Sequence, residues 1–323
     1  MKMLLRAALS FAFLAIPASG LFAAENYPSK TIRVVVPFPP GGSVNVIARL
    51  FGDALQQAWG QPVVVDPKPG AGGIVASEEV VKAAPDGHTL MMATANVAVA
   101  PSLFKTIPFD TEKDLIPVAQ TMEVPGVFLV RSDLGVKTLQ EFIDLARSKP
   151  GDLNYSSGGS GSIPHLGTEL LLTKAGIEVE HIPYPGNAPA LLALVAGEVD
   201  MMQSNVGDVL QYIKDGTLIP LAVNTPERVP QIPDVPTVAE AGIADYNAVG
   251  WHGFFAPAGT PKEIVDKINQ GIRDALKTPA ISEYFSNLGY IVHTGSPEDF
   301  ARLVHDDIQN YAIAVKASGA TAE

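Results

Sequence analysis

The sequence predicts an α/β protein of two lobes, each a mostly parallel sheet flanked by helices, with two extended crossovers joining them. Three observations carry this. Short β-branched apolar runs alternate with segments of helical period, the pattern of right-handed βαβ units. A long extended stretch, Ile116–Ser132, interrupts the alternation, which then restarts. A second extended stretch, Tyr246–Pro261, leads into a helical C-terminus. The predicted lobes are residues 25–125 with 247–323, and residues 126–246. One continuous doubly wound sheet is the alternative.

In chain order, the first 24 residues have the form of an export signal. Lys2 and Arg6 precede the apolar run Ala7–Ile16; Pro17 and small residues from Ala18 to Ala24 follow, with cleavage expected between positions 20 and 24. That run is shorter than the roughly 20 apolar residues needed to cross a bilayer. Thr31–Val36, Gln61–Asp66 and His88–Thr94 read as doubly buried strands, with helices near Val44–Trp59 and Ile74–Ala84 between them. After the first crossover come helix Leu139–Ser148, strand Leu153–Ser156, helix Ile163–Ala175 and strand Glu178–Ile182. Helix Ala188–Ala196, strand Val199–Met202, helix Val206–Asp215 and strand Ile219–Val223 complete the second lobe. A proline-punctuated segment, Asn224–Gly242, precedes the return, and the final helices are Pro261–Leu276, Ala280–Leu288 and Pro297–Ala317.

Composition narrows the function. A chain of 323 residues with 47% hydrophobic content builds a sizeable core. Net charge is −12, with no basic block, which excludes nucleic-acid binding by phosphate neutralisation. There is no cysteine, hence no disulfide, no thiolate chemistry and no lipid-modified N-terminal cysteine. The expectation is a soluble periplasmic protein.

The junctions after the predicted strands carry the functional signal. They read PFPPGGSVN from Pro37, SSGGSGSIPHL from Ser156, PYPGNAP from Pro183 and QSN from Gln203. None holds Lys or Arg, and each opens a helix. A helix N-terminus offers unpaired N–H groups and partial positive charge; glycine lets a ligand oxygen reach them, and Ser and Asn add neutral donors. An ordinary N-cap explains any one junction. Four at corresponding ends of two lobes point to a shared anion site in a cleft. His165 suits a cap or ligand contact. Tyr184 and Trp251 suit either a cleft wall or core packing. Asp200, read as the end of a buried strand, suits either a ligand ammonium or a backbone contact.

Other chemistries have weaker signals. GAGGIV after Pro69 has Val75 where a dinucleotide fingerprint needs glycine. GGSGS approximates a nucleophile elbow around Ser160, with His165 nearby, which would make an exported serine hydrolase. The histidines lack metal-ligand spacing, so no metal and no cofactor are expected.

Seven segments in order, YPSKTIRVVVPFPPGGSVNVIAR, GQPVVVDPKPGAGGIVAS, AAPDGHTLMMAT, LNYSSGGSGSIPHL, HIPYPGNAPALLALVAGEVDMM, PDVPTVAEAG and WHGFFAPAGTP, resemble the substrate receptors of tripartite tricarboxylate transporters, the Bug-type extracytoplasmic binding proteins. The resemblance implies a two-lobed type II periplasmic binding-protein fold, capture of a small organic acid, and a two-component membrane permease as partner. A sensory role, with a membrane sensor kinase as partner, is a further possibility; the protein is expected to act as a monomer. Carried over by motif, the ligand residues are Pro40, Gly41, Gly42, Ser43 and Asn45, and Ser156, Ser157, Gly158, Ser160, Gly161 and Ser162. Thr94, Asn96, Asn187, Asp200 and Ser204 are carried over with them. The chain departs from the family in having Asn45 where Asp is usual, which implies a ligand without an amino group. It also has Pro185 where Lys is common.

Overall fold

A computed structural model describes residues 26–40, 43–246 and 248–322. The export-signal reading and the assignments of Gly41 and Gly42 fall outside the described residues. The apolar run Ile32–Val36 forms β1, paired in parallel with β2 (Val63–Pro67) and β3 (Thr89–Thr94). Helix α1 (Ser43–Trp59) crosses from β1 to β2 and α2 (Ile74–Val81) from β2 to β3. α1 buries Ile47, Ala48, Phe51 and Leu55 on one stripe, the spacing that holds a helix against a sheet. Phe51 meets Phe254 edge-on at 5.3 Å. Each such ring, fully buried, contributes about 1.5–3 kcal/mol by removal from water.

After β3 come α3 (Asn96–Leu103), the single turn α4 (Thr111–Asp114) and β4 (Leu115–Val124). Pro125 separates β4 from β5 (Gly126–Arg131), and the chain changes sheets there. The second sheet adds β6 (Asn154–Ser157), β7 (Glu180–Pro183), β8 (Met201–Asn205) and β9 (Leu218–Val223). Its helices are α5 (Leu139–Ser148), α6 (Ile163–Ala175), α7 (Asn187–Ala196) and α8 (Val206–Lys214). The chain returns through β10 (Gly250–Pro257) and ends with α9 (Lys262–Ala275), α10 (Pro279–Asn287), the short β11 (Ile291–Val292) and α11 (Pro297–Ser318).

Strand order is β11-β4-β10-β3-β1-β2 in one sheet and β7-β6-β8-β5-β9 in the other. Both sheets are mixed. β10 runs antiparallel to β3 and β4, and β5 runs antiparallel to β8 and β9. Each is the first strand laid down after a crossing, so it enters its sheet from the end where the others leave. The remaining long strands point their carboxyl ends toward the gap between the sheets. Each sheet carries apolar clusters on both faces. One cluster spans both lobes: Leu166 and Leu170 of α6 pack with Trp251 and Phe255 of β10 and Tyr311 of α11.

One strand differs from the sequence expectation in a way that matters. β8 begins at Met201 and continues through Gln203, Ser204 and Asn205, which pair with Phe128, Val127 and Gly126. Apolarity alone ends this strand at Met202; the ladder with β5 carries it three polar residues further. Asp200 therefore precedes the strand and lies at the end remote from the gap.

Candidate functional site

Five helices begin at the gap between the lobes. α1 opens at Ser43, α3 at Asn96, α6 at Ile163, α7 at Asn187 and α8 at Val206. Around their first turns lies a cavity of about 230 Å³. Phe38, Ser43, Thr94, Asn96, His252 and Tyr290 line it from the first lobe. Ser162, Asn187, Gln203, Ser204 and Asn205 line it from the second, and Val124, Gly126, Asn224 and Gly250 form its base. Among the described residues no Lys, Arg, Asp or Glu side chain lines this cavity. Burial pulls the His252 imidazole down to about 4, so it is neutral at physiological pH. The cavity's electrostatics are therefore those of helix termini and neutral amides and hydroxyls. Gln203 Oε1, Ser204 Oγ and His252 Nδ1 are buried beside it without a protein partner, which leaves hydrogen-bonding capacity for an occupant.

A groove of about 420 Å³ adjoins the cavity, lined by Gly158, Ser160 and Gly161 of the second lobe and by Gly72 and Leu103 of the first. Asn96 and Ser162 belong to both, so cavity and groove meet there.

Of the residues singled out from sequence, Ser43, Thr94, Asn96, Ser162, Asn187 and Ser204 line the cavity. Gly158, Ser160 and Gly161 line the adjoining groove. The others stand elsewhere, each for a physical reason. Pro40 is exposed in the turn before α1. Asn45 is buried beneath that turn; its amide donates to the carbonyls of Phe38 (3.2 Å) and Pro39 (2.8 Å). It braces the loop that carries Phe38 into the cavity wall. A carboxylate has no donor for those two carbonyls, so Asn45 sets the geometry of this loop through its amide. Ser156 is fully buried and donates to the Ala190 carbonyl. Ser157 turns inward to His181 (2.6 Å). His165 also faces inward, its Nδ1 accepting the Gly161 N–H at 3.0 Å.

Tyr184 reaches toward Glu198 on the outer surface of the second lobe. Asp200 forms an ion pair with Arg131 (3.0 Å) and accepts the Asn154 N–H (3.0 Å), so its charge is already matched far from the cavity. Trp251 does both: it borders the cavity, while its ring packs in the core, meeting Phe300 edge-on at 5.0 Å and donating from Nε1–H to Asp307 at 2.6 Å. The elbow around Ser160 lacks the bond its chemistry needs. The His165 Nδ1 is taken by Gly161 while Ser160 is exposed.

Five lining residues with polar side chains were not singled out as ligand contacts from the sequence. Gln203 and Asn205 sit within the same QSN segment as Ser204. Asn224 directly follows the end of β9, so a strand followed by a short polar residue was a usable signal. It clasps both crossings: its Oδ1 accepts the Gly126 N–H (2.7 Å), its Nδ2 donates to Ala248 (3.0 Å) and its own N–H donates to Gly126 (2.9 Å). His252 reaches the cavity through the register of β10, where it pairs with Thr94 of β3. Tyr290 arrives on the turn between α10 and β11, without a local signal.

Comparison with known proteins agrees with this geometry. Residues 47–319 match the family described as the tripartite tricarboxylate transporter family receptor. The protein BugT of Bordetella pertussis is 36% identical over 310 residues, covering 94% of this chain and 95% of that protein. A solved R. palustris protein with adipate is 33% identical, with a TM-score of 0.76 over 91% of this chain and 99% of that one. The solved MatC of Rhodopseudomonas palustris, with bound malate, is 34% identical, with a TM-score of 0.74 over 90% of this chain and all (100%) of that one. With a cavity between two α/β lobes, walled by neutral helix openings, and a family match over most of its length, the chain belongs to the tripartite tricarboxylate transporter family of receptors.

Proposed function

We propose that this protein is a periplasmic receptor that takes a small organic acid between its lobes and delivers it to a two-component membrane permease. The observation that carries the reading is the convergence of five helix N-termini on one cavity without a charged side chain among the described lining residues. Each terminus favours an anion by about 0.3–2 kcal/mol, more when water is excluded. Several together hold a carboxylate without a salt bridge, and hydrogen bonds to neutral donors read its shape. Two lobes with termini on both sides suit a dicarboxylate, one carboxylate to each lobe. The adipate and malate in the two solved relatives support this class.

In this reading residues 25–125 with 247–323 form one moving body and residues 126–246 the other. They hinge at Pro125 and near Ala248, where Asn224 ties the two crossings together. Ligand shifts the equilibrium toward the closed form, which the permease recognises. The first 24 residues act as the export signal, and the mature receptor acts as a monomer. The test is calorimetry at neutral pH against a panel of di- and tricarboxylates, with small-angle scattering in parallel. Binding of at least one acid with compaction is expected; no heat and no compaction across the panel overturns the proposal.

A further inference from the structure

Beneath the groove lies a cluster that ligand contact does not explain. His165 on α6 and His181 on β7 stack with ring centroids 4.0 Å apart and planes 23° apart. Tyr155 on β6 stacks beside both, its ring 4.9 Å from His181 and 6.4 Å from His165, and its hydroxyl donates to Glu169 of α6. Both imidazoles are tied to the loop above them. The Gly161 N–H donates to His165 Nδ1 at 3.0 Å. His181 Nε2 shares a 2.6 Å hydrogen bond with Ser157 Oγ, which also accepts the Gly159 N–H at 3.2 Å. Gly161 holds φ of +78° and packs so closely on Leu103 of the first lobe that a Cβ would lie 2.5 Å from its methyl carbon. The loop held by the two rings is therefore the part of the second lobe that touches α3 and opens α6 into the cavity.

We propose that the His165–His181 stack is a positioning device for the ligand loop Gly158–Ser162, able to hold it only while both rings are neutral, so that mild acid frees the loop and speeds ligand release. This rests on the receptor reading above. The reason is chemical. Nδ1 of His165 must carry a lone pair to accept from Gly161; a proton there replaces the acceptor with a donor facing a donor. A charge on either ring also meets its stacked neighbour 4.0 Å away in a buried setting. The titratable groups facing the pair are Tyr155 of β6 and Glu169 of α6, already bonded to each other. Glu180, next to His181 on β7, is exposed, and Asn187 of α7 is uncharged. Burial, and for His165 the neighbouring His181, draws both imidazoles from 6.5 down to about 4. Opening the loop to water restores the ordinary value, so the opened form binds the extra protons. Opening is thus favoured progressively as pH falls from 6.5 to about 4, and unchanged above.

The experiment is amide exchange by NMR in the ligand-free protein from pH 7.5 to 4, corrected for intrinsic rates, with helix Ser43–Trp59 as internal control. Protection at Gly161 is expected to fall about tenfold per pH unit per imidazole below 6.5, while the control helix holds. His165→Asn keeps an acceptor near the Nδ1 position without the titration and should keep Gly161 protected in acid. His165→Phe should lose that protection at every pH. Stopped-flow dissociation of adipate or malate should accelerate in acid for the wild type and much less for His165→Asn. Protection at Gly161 that stays flat from pH 7.5 to 4 overturns the proposal, as does an unchanged acid response in His165→Asn. Failure of both acids to bind at pH 7.5 counts against the receptor reading alone, since the exchange measurement needs no ligand.

Discussion

At the scale of single residues, the cavity works by what its side chains lack. A carboxylate at Ser204 or Asn187 stands among helix N-termini that otherwise serve the ligand, and it repels an anionic occupant. Asn187→Asp is expected to weaken carboxylate binding by at least tenfold, about 1.4 kcal/mol, with little change in melting temperature, because position 187 is only partly buried. Calorimetry beside a thermal scan checks both. Asn45 makes the opposite case. Its two donated bonds go to backbone carbonyls, and Asn45→Asp leaves those carbonyls facing an acceptor. The expected loss is about 1–3 kcal/mol of stability, read by urea denaturation, with weaker binding following from the displaced Phe38 loop. From sequence, Asn45 was legible as a departure from the family pattern. Its role was not, because the direction in which an amide points depends on what is packed around it.

At the scale of elements, β10 joins the site to the core. One side of this strand brings His252 to the cavity; Trp251, one residue earlier, points to α11 and donates to Asp307. Burial, with Glu123 and Asp306 nearby, lifts the Asp307 carboxyl from 3.8 to about 7. A raised carboxyl binds its proton more tightly folded than unfolded. Its contribution is therefore intact below 3.8 and lost as pH rises through about 7. His165, His181 and His252, all lowered to about 4, act the other way and cost stability as pH falls from 6.5. Burial also raises the Glu169 and Asp208 carboxyls, which act with Asp307; the three imidazoles are expected to dominate, so melting temperature should rise between pH 4.5 and 6.5. Asp307→Asn keeps an acceptor for Trp251 and removes its opposing contribution. The rise should steepen, by up to about 1.4 kcal/mol per pH unit, and stability at pH 8 should increase. Calorimetric melts across this range check it; a slope unchanged in Asp307→Asn contradicts the assignment.

At the scale of the whole molecule, the lobes meet in further places besides the crossings and the contact of Gly161 with Leu103. α11 packs on α6 through Leu166, Leu170 and Tyr311. On another side, Gly207 at the start of α8 sits under the Leu288 carbonyl, so close that a Cβ would lie 2.8 Å from it. Gln231 Nε2 reaches the Ser286 carbonyl beside it at 3.4 Å. These groups come from different lobes, so a side chain at 207 wedges the lobes apart rather than disturbing either core. Gly207→Leu is expected to enlarge the radius of gyration in the presence of ligand and to lower affinity several-fold. Its melting temperature should stay close to wild type. Scattering with and without the bound acid is the measurement.

The sequence by itself determined the layers, the restart of the βα alternation after Pro125, and the character of the strand-end junctions. Strand runs, helical stripes and caps are set by neighbours a few positions apart, and they survive into the structure nearly unchanged. It also marked Ser43, Ser162, Asn187 and Ser204, because a polar residue at a strand's carboxyl end or a helix's first turn has few other places to point; Thr94 and Asn96 came from the resemblance to the receptor family. Tertiary structure alone decided which polar groups face the cavity and which face inward. Ser156, Ser157 and His165 share a motif with Ser162, yet turn into the second lobe. Two of the lining residues left unmarked, His252 and Tyr290, reach the cavity through strand register and the packing of α10. Asp200 shows the same limit from the other direction. Its neighbours along the chain suggested a cleft, and a partner sixty-nine positions away, Arg131, had already matched its charge. Side-chain direction depends on contacts between residues distant in sequence, and those exist only once the sheets have formed.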